Sequence, residues 1–388
     1  MSTFARTVDA TDVDTLLARG SAKWTAYPGR IGAWIAEMDF GVADPIQDAL
    51  DRLRADVLYG YPNRDMLRRL REAASGFCTE RYGWTPDPDS IAAITDVLHG
   101  LGLVFDSYVA PDAPVVLLTP CYMPFLTIPP AFGRRIVEVP MLRGDDGWAV
   151  DLDALDAALA DGGLFVLANP YNPLGKVFTR AELAAISEVV ERRGARVFSD
   201  EIHAPLTFAG HAHVPYASVS PEAARHSITA LSASKAWNLA GLKCAQLVFT
   251  NPDDLALWKR RAGRRAAEAA NAGIVAGTAA YTEGLPWLAE ALAYLDVNRR
   301  IVAEEVPRRL PGARTTLLEG TYLQFIDFRE TAVPGNPRQF FFEHAGVALT
   351  DGDLCGQAGR GFVRLNIATP TPILRDIIDR LESAVAGR

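Results

Sequence analysis

Three polar clusters in this chain each follow a run of apolar residues. Asn169-Pro170-Tyr171-Asn172-Pro173-Leu174-Gly175 comes after residues 164–168, Ser199-Asp200-Glu201-Ile202-His203 after 195–198, and Ser232-Ala233-Ser234-Lys235 after Ile228-Thr229-Ala230-Leu231. A lysine amine captures a carbonyl compound as a Schiff base, and burial near other cations lowers its pKa toward the neutral, nucleophilic form. Lys235, followed eight residues on by Lys243, suits that role. A carboxylate such as Asp200 holds a proton on a ring nitrogen, and hydroxyls such as those of Ser232 and Ser234, with a helix N-terminus, receive a phosphate. A carbonyl, a ring nitrogen and a phosphate together are the demands of pyridoxal phosphate. Each cluster alone is an ordinary turn; their order and their placement at strand ends carry the reading.

The elements that must position these residues are legible in the pattern. Val115–Leu118, Leu164–Leu167, Arg196–Phe198 and Gln246–Phe249 are solidly apolar without alternation, as strands covered on both faces are. From Asp44 to about Val385 such runs alternate with helical periodicity, the α/β signature, and ligands of open α/β sheets gather outside the carboxyl ends of the strands. Asp44-Pro45 reads as an N-cap and first helical residue, a second helix carries Met66, Leu67, Leu70 and Phe77 to Gly83, and another covers about 98–109. Thr179-x-x-Glu182 reads as a capping box for a helix stopping at Gly194. After Gly284-Leu285-Pro286 a long helix with Leu288, Leu292, Leu295, Ile301 and Val302 leads to the strand pattern of Tyr322–Phe328. Three segments follow: an extended start, 1–40, packed on the last part; a large domain, 41–285; and a smaller α+β domain, 286–388.

Composition excludes several function classes. The 388 residues are 49% hydrophobic and 22% charged with a net charge of −8, which opposes nucleic-acid or polybasic membrane binding. Apolar runs are too short for a membrane span, and the first residues lack the apolar region of a secretory signal, so a cytoplasmic protein is expected. Cys78, Cys121, Cys244 and Cys355 lie far apart, which argues against a disulfide framework and a ribbon-type zinc site. His211 and His213 have a ligand-like spacing, but no carboxylate or cysteine completes a set. They read as a polar surface loop, and no metal is expected. Phosphate-loop, dinucleotide-binding and nucleophile-elbow motifs are absent from the sequence.

The chain resembles fold-type I pyridoxal-phosphate enzymes, within them the MalY/PatB-type cystathionine β-lyases, from about Lys23 to Val385. The residues that carry the resemblance are Trp34-Ile-Ala-Glu-Met-Asp-Phe40, Tyr59-Gly-Tyr-Pro62, Pro120-Cys-Tyr-Met-Pro-Phe125, the Asn169–Gly175 turn, Ser199–His203, Ser232–Leu242 and Gly361–Asn366. It implies a mostly parallel seven-stranded sheet in the large domain. Lys235 would carry the cofactor and abstract the substrate α-proton, Asp200 would pair with the pyridine nitrogen, and Asn172 would bond the ring 3′-oxygen with His203 nearby. Tyr122 would stack on the ring. Arg364 would hold the substrate α-carboxylate, with Asn172 and Ala36 among the substrate contacts. Ser232, Ser234, Lys243 and the backbone of Asp96 and Val97 would hold the phosphate, and Tyr61 would reach the phosphate of a neighbouring subunit, implying a homodimer with shared sites. Asp96 stands where many relatives carry glycine, so its charge is expected to point away. The implied reaction is carbon–sulfur β-elimination on cystathionine or another cysteine S-conjugate. Transamination to a keto acid and a regulatory role on the same scaffold are the alternatives.

Overall fold

The computed structural model describes residues 2–144, 147–266 and 268–387. A seven-stranded sheet is built from β1 (Ile91–Ile94), β2 (Val115–Thr119), β3 (Ile136–Pro140), β4 (Leu164–Ala168), β5 (Arg196–Asp200), β6 (Ser227–Leu231) and β7 (Ala245–Phe249) in the order β1-β7-β6-β5-β4-β2-β3. Five neighbouring strands are parallel, and β7 runs antiparallel to both β1 and β6. Every residue of β2, β4, β6 and β7 is buried, the burial expected of strands covered on both faces.

Helices α1 (Asp44–Ala55), α2 (Arg64–Tyr82), α3 (Val97–Ser107), α4 (Arg180–Arg192), α5 (Asn271–Thr282) and α6 (Leu285–Arg309) precede a second sheet. That sheet comprises β8 (Arg314–Thr315), β9 (Leu323–Asp327), β10 (Thr350–Asp351) and β11 (Phe362–Asn366) in the order β8-β9-β11-β10, and α7 (Thr371–Ala386) closes the chain's helices. The Thr179–Glu182 capping box is formed, and Gly83 caps α2 in the left-handed conformation. Asp44 is the first residue of α1 rather than its cap, a place Ala43 takes without a side-chain bond.

The start of the chain is not extended. Thr3–Asp9, Val13–Arg19 and Ala22–Thr25 are short helices, the first two capped by the side chains of Ser2 and Asp12. The chain then pairs Ile31–Gly32 in parallel with Val347–Ala348. Trp24, Met38 and Phe40 are buried in one hydrophobic cluster with Leu295, Phe341 and Leu374, while Val116, Phe165, Phe198 and Leu247 belong to a second cluster around the main sheet.

Candidate active site

The parallel strands deliver their last residues to one edge of the sheet. Asp200 ends β5, Ser232–Lys235 follow β6, Tyr122 follows β2, and Asn172 follows β4. The antiparallel β7 brings its amino end to the same edge. Its register pairs Ala245 with Ile94, and continuing it two residues sets Lys243 against Asp96. A cavity of about 200 Å³ lies there. Of the residues expected at the site, it is lined by Ala36, Asp96, Val97, Tyr122, Asn172, Asp200, His203, Ser232, Ser234, Lys235 and Lys243.

Lys235 donates from Nζ to the Ala36 carbonyl at 3.2 Å, and burial together with the charge of Arg364 lowers its pKa to about 8. Burial pushes Asp200 up to about 7, against the backbone N–H of Ile202, which donates to its Oδ1 at 3.1 Å. His203, buried near Lys235 and Arg364, falls to about 3 and is a neutral imidazole, with Nδ1 lacking a partner among the described residues. Arg364, on β11, is not a surface residue but is buried. It donates from Nη1 to Asn172 Oδ1 at 3.1 Å and from Nη2 to the Trp34 carbonyl at 3.1 Å and Thr350 Oγ1 at 3.3 Å, while Nε has no partner among the described residues. With its amide oxygen committed to Arg364, Asn172 keeps its N–H₂ group as the donor for a ligand.

Sequence reasoning missed what holds the segment 34–39. Asn366 donates to the carbonyls of Ile35 and Glu37 at 2.6 and 2.7 Å. Asn238 accepts from Met38 N–H and donates to Met38 O, both at 2.9 Å. The buried Lys23–Asp39 pair, 2.7 Å apart, anchors its far end. Both asparagines stand inside the motifs Ser232–Leu242 and Gly361–Asn366, yet an asparagine that clamps a distant backbone has no local signature.

Two expectations are corrected, the direction of Asp96 and the surface placement of His213. The Asp96 carboxylate does not turn away: Oδ1 accepts from His99 N–H at 2.8 Å and Oδ2 pairs with Lys243 Nζ at 3.2 Å. Ser232 lines the cavity as expected, and its Oγ donates to the Cys244 carbonyl at 2.7 Å. His213 is no surface residue; it is buried 2.8 Å from Glu201 Oε2, the partner having come from the Ser199–His203 cluster. Tyr61 is 91% exposed and lines no part of its own chain's cavity.

The residues fit pyridoxal phosphate: an amine of lowered pKa and a buried acid share one cavity, and the buried Arg364 Nε and His203 Nδ1 lack partners among the described residues. Residues 36–381 match the model of the class I and II aminotransferases, and the chain belongs to that family. A cystathionine β-lyase of Corynebacterium glutamicum is 34% identical over 96% of this chain and 99% of its own length. A putative pyridoxal-phosphate-dependent β-cystathionase of Corynebacterium diphtheriae superposes with a TM-score of 0.92 at 38% identity, covering 97% of this chain and 98% of that one. Cystalysin of Treponema denticola, which contains pyridoxal 5′-phosphate, superposes with a TM-score of 0.88 at 26% identity over 95% and 96%. The architecture is therefore that of the fold-type I enzymes, and pyridoxal phosphate is the cofactor.

Proposed function

We propose that the protein is a pyridoxal-phosphate-dependent carbon–sulfur β-lyase that converts cystathionine or another cysteine S-conjugate to a thiol, pyruvate and ammonia. The observation that carries this reading is the convergence of Lys235 and Asp200 on one cavity, with Arg364 behind Asn172. The similarity to cystathionine β-lyases along nearly the whole chain selects elimination among the reactions such a site supports.

Bound pyridoxal phosphate supplies an electron sink that makes the substrate α-proton removable and lets sulfur leave from the β-carbon. Lys235 would hold the cofactor, and its ε-nitrogen, when free, would take the substrate α-proton. Asp200 keeps the ring nitrogen protonated. The Arg364 guanidinium binds the α-carboxylate through a fork that lysine does not reproduce. Tyr122 and His203 would wall the ring, Asn172 would donate to its 3′-oxygen, and Ala36 would border the substrate. Ser234, Lys243 and the backbone at Asp96 and Val97 would receive the phosphate, joined by Ser232 once its hydroxyl leaves the Cys244 carbonyl.

The active species is read as a homodimer. Val57, Leu58, Tyr59 and Tyr61 form an exposed apolar run, which suits a surface covered by a second copy, with Tyr61 reaching the neighbouring phosphate site. The chain divides into a large domain, 41–285, and a small one, 286–388, with 1–40 packed on the latter. Among the described residues no helix is long and apolar enough to cross a membrane, and a cytoplasmic location is proposed with that.

The test is turnover of L-cystathionine and S-alkyl cysteines, followed by pyruvate and free thiol. Pyruvate released without any keto-acid co-substrate is expected. A strict requirement for a keto acid would make the protein a transferase, and bound cofactor without turnover would favour the regulatory role.

A further inference from the structure

The phosphate end of the cavity carries a side chain that opposes the group it receives. The antiparallel register of β1 and β7 places Asp96 and Lys243 side by side, Oδ2 and Nζ 3.2 Å apart, and both line the cavity with Ser232 and Ser234. The other Asp96 oxygen takes the N–H of His99, in the first turn of α3. A phosphate seated there is attracted by the amino end of the helix and by a cation. In this chain the carboxylate already engages one N–H of that turn and the cation, and it adds a negative charge beside the incoming one.

We propose that Asp96 is a built-in competitor of the cofactor phosphate. It holds Lys243 in the cofactor-free protein, must surrender it on loading, and so makes cofactor binding weaker and more readily reversed than the rest of the site would set. The inference rests on the reading of this cavity as a pyridoxal phosphate site. Part of the pair is solvent-accessible, with side-chain exposures of 59% for Lys243 and 40% for Asp96, so the effect is moderated by solvent screening.

The experiment measures dissociation constants of pyridoxal phosphate and of pyridoxal, which lacks the phosphate, for cofactor-free wild type, Asp96→Asn and Asp96→Ser, read by quenching of tryptophan fluorescence. Asparagine and serine both cap helices well, so α3 keeps its N-cap in either variant. Both variants are expected to bind pyridoxal phosphate more tightly, on the order of 3–10-fold given an exposed charge pair, with pyridoxal affinity unchanged. Unchanged or weaker pyridoxal phosphate binding in both variants would overturn the competitor role and leave the cofactor reading standing. An equal gain for pyridoxal would overturn it too, because the effect would not act through phosphate. Failure of the wild type to bind pyridoxal phosphate would overturn both this inference and the reading beneath it.

Discussion

At the scale of single residues the site stores unfavourable electrostatics that a ligand relieves. The carboxyl of Asp200, fully inside the protein, has its pKa raised from 3.8 to about 7 by burial. A raised acid binds more protons folded than unfolded between those values, so it costs stability as pH rises from about 4 to 7, and the cost is complete above 7. Asp200→Asn removes it: the cofactor-free variant is expected to be more stable at pH 8 by on the order of 1–3 kcal/mol, and no more stable at pH 4, while losing lyase activity. Thermal melts at the two pH values check the sign. Lys235 behaves in the opposite sense. Its pKa, lowered to about 8 by burial and Arg364, means that the neutral amine grows in as pH rises. The rate of cofactor attachment should climb to about pH 8 and then level off; a rate still rising nearly tenfold per unit at about pH 9 would mean an ordinary lysine. Arg364→Lys keeps the charge but loses the fork, and should raise the Michaelis constant with a loss of about 1–3 kcal/mol in substrate binding. An unchanged constant would move the carboxylate contact to another residue.

At the scale of elements, precision comes from strand ends and from one strap of backbone. The segment 34–39 is held by Asn366 on β11 and by Asn238 after β6, so it fixes Ala36 against Lys235 and joins the two sheets. Asn238 has φ of 60°, a conformation asparagine tolerates better than most residues. Asn238→Gly keeps that backbone and loses the two Met38 bonds, and Asn238→Ala loses both. Each is expected to cost about 1–3 kcal/mol of stability and to raise the Michaelis constant, the alanine variant more. Equal behaviour to wild type in both would show that the clamp does not position the strap. The strands and the residues at their ends were readable in the sequence because a fully buried strand is a short apolar run and a turn follows it. The strap was not, because its bonds join positions about 200 and 330 apart. The short helices up to Thr25 were missed for another reason: they have at most seven residues, and their stability rests on packing and, in the first two, on caps at Ser2 and Asp12 rather than on periodicity. His213 was misread because its partner, Glu201, stands twelve residues away and belonged to a motif already given another meaning.

At the scale of the whole molecule, the proposed homodimer is tested by mixing subunits. If Tyr61 serves the neighbour's phosphate, a mixture of Lys235→Ala and Tyr61→Ala subunits rebuilds one intact site per hybrid dimer, and activity should return to about a quarter of the wild-type level on statistical mixing of symmetric dimers. No recovery after subunit exchange would confine each site to one chain. At every scale the proposal depends on attachment of the cofactor to Lys235, in the cavity that Asp200 also lines. Borohydride reduction of the loaded protein, followed by proteolysis and mass spectrometry of the peptides, measures that attachment directly. The pyridoxyl label should be found on Lys235, and it should be absent in Lys235→Ala. A label on Lys243 or Lys23, or a reducible band that survives in Lys235→Ala, would contradict the account.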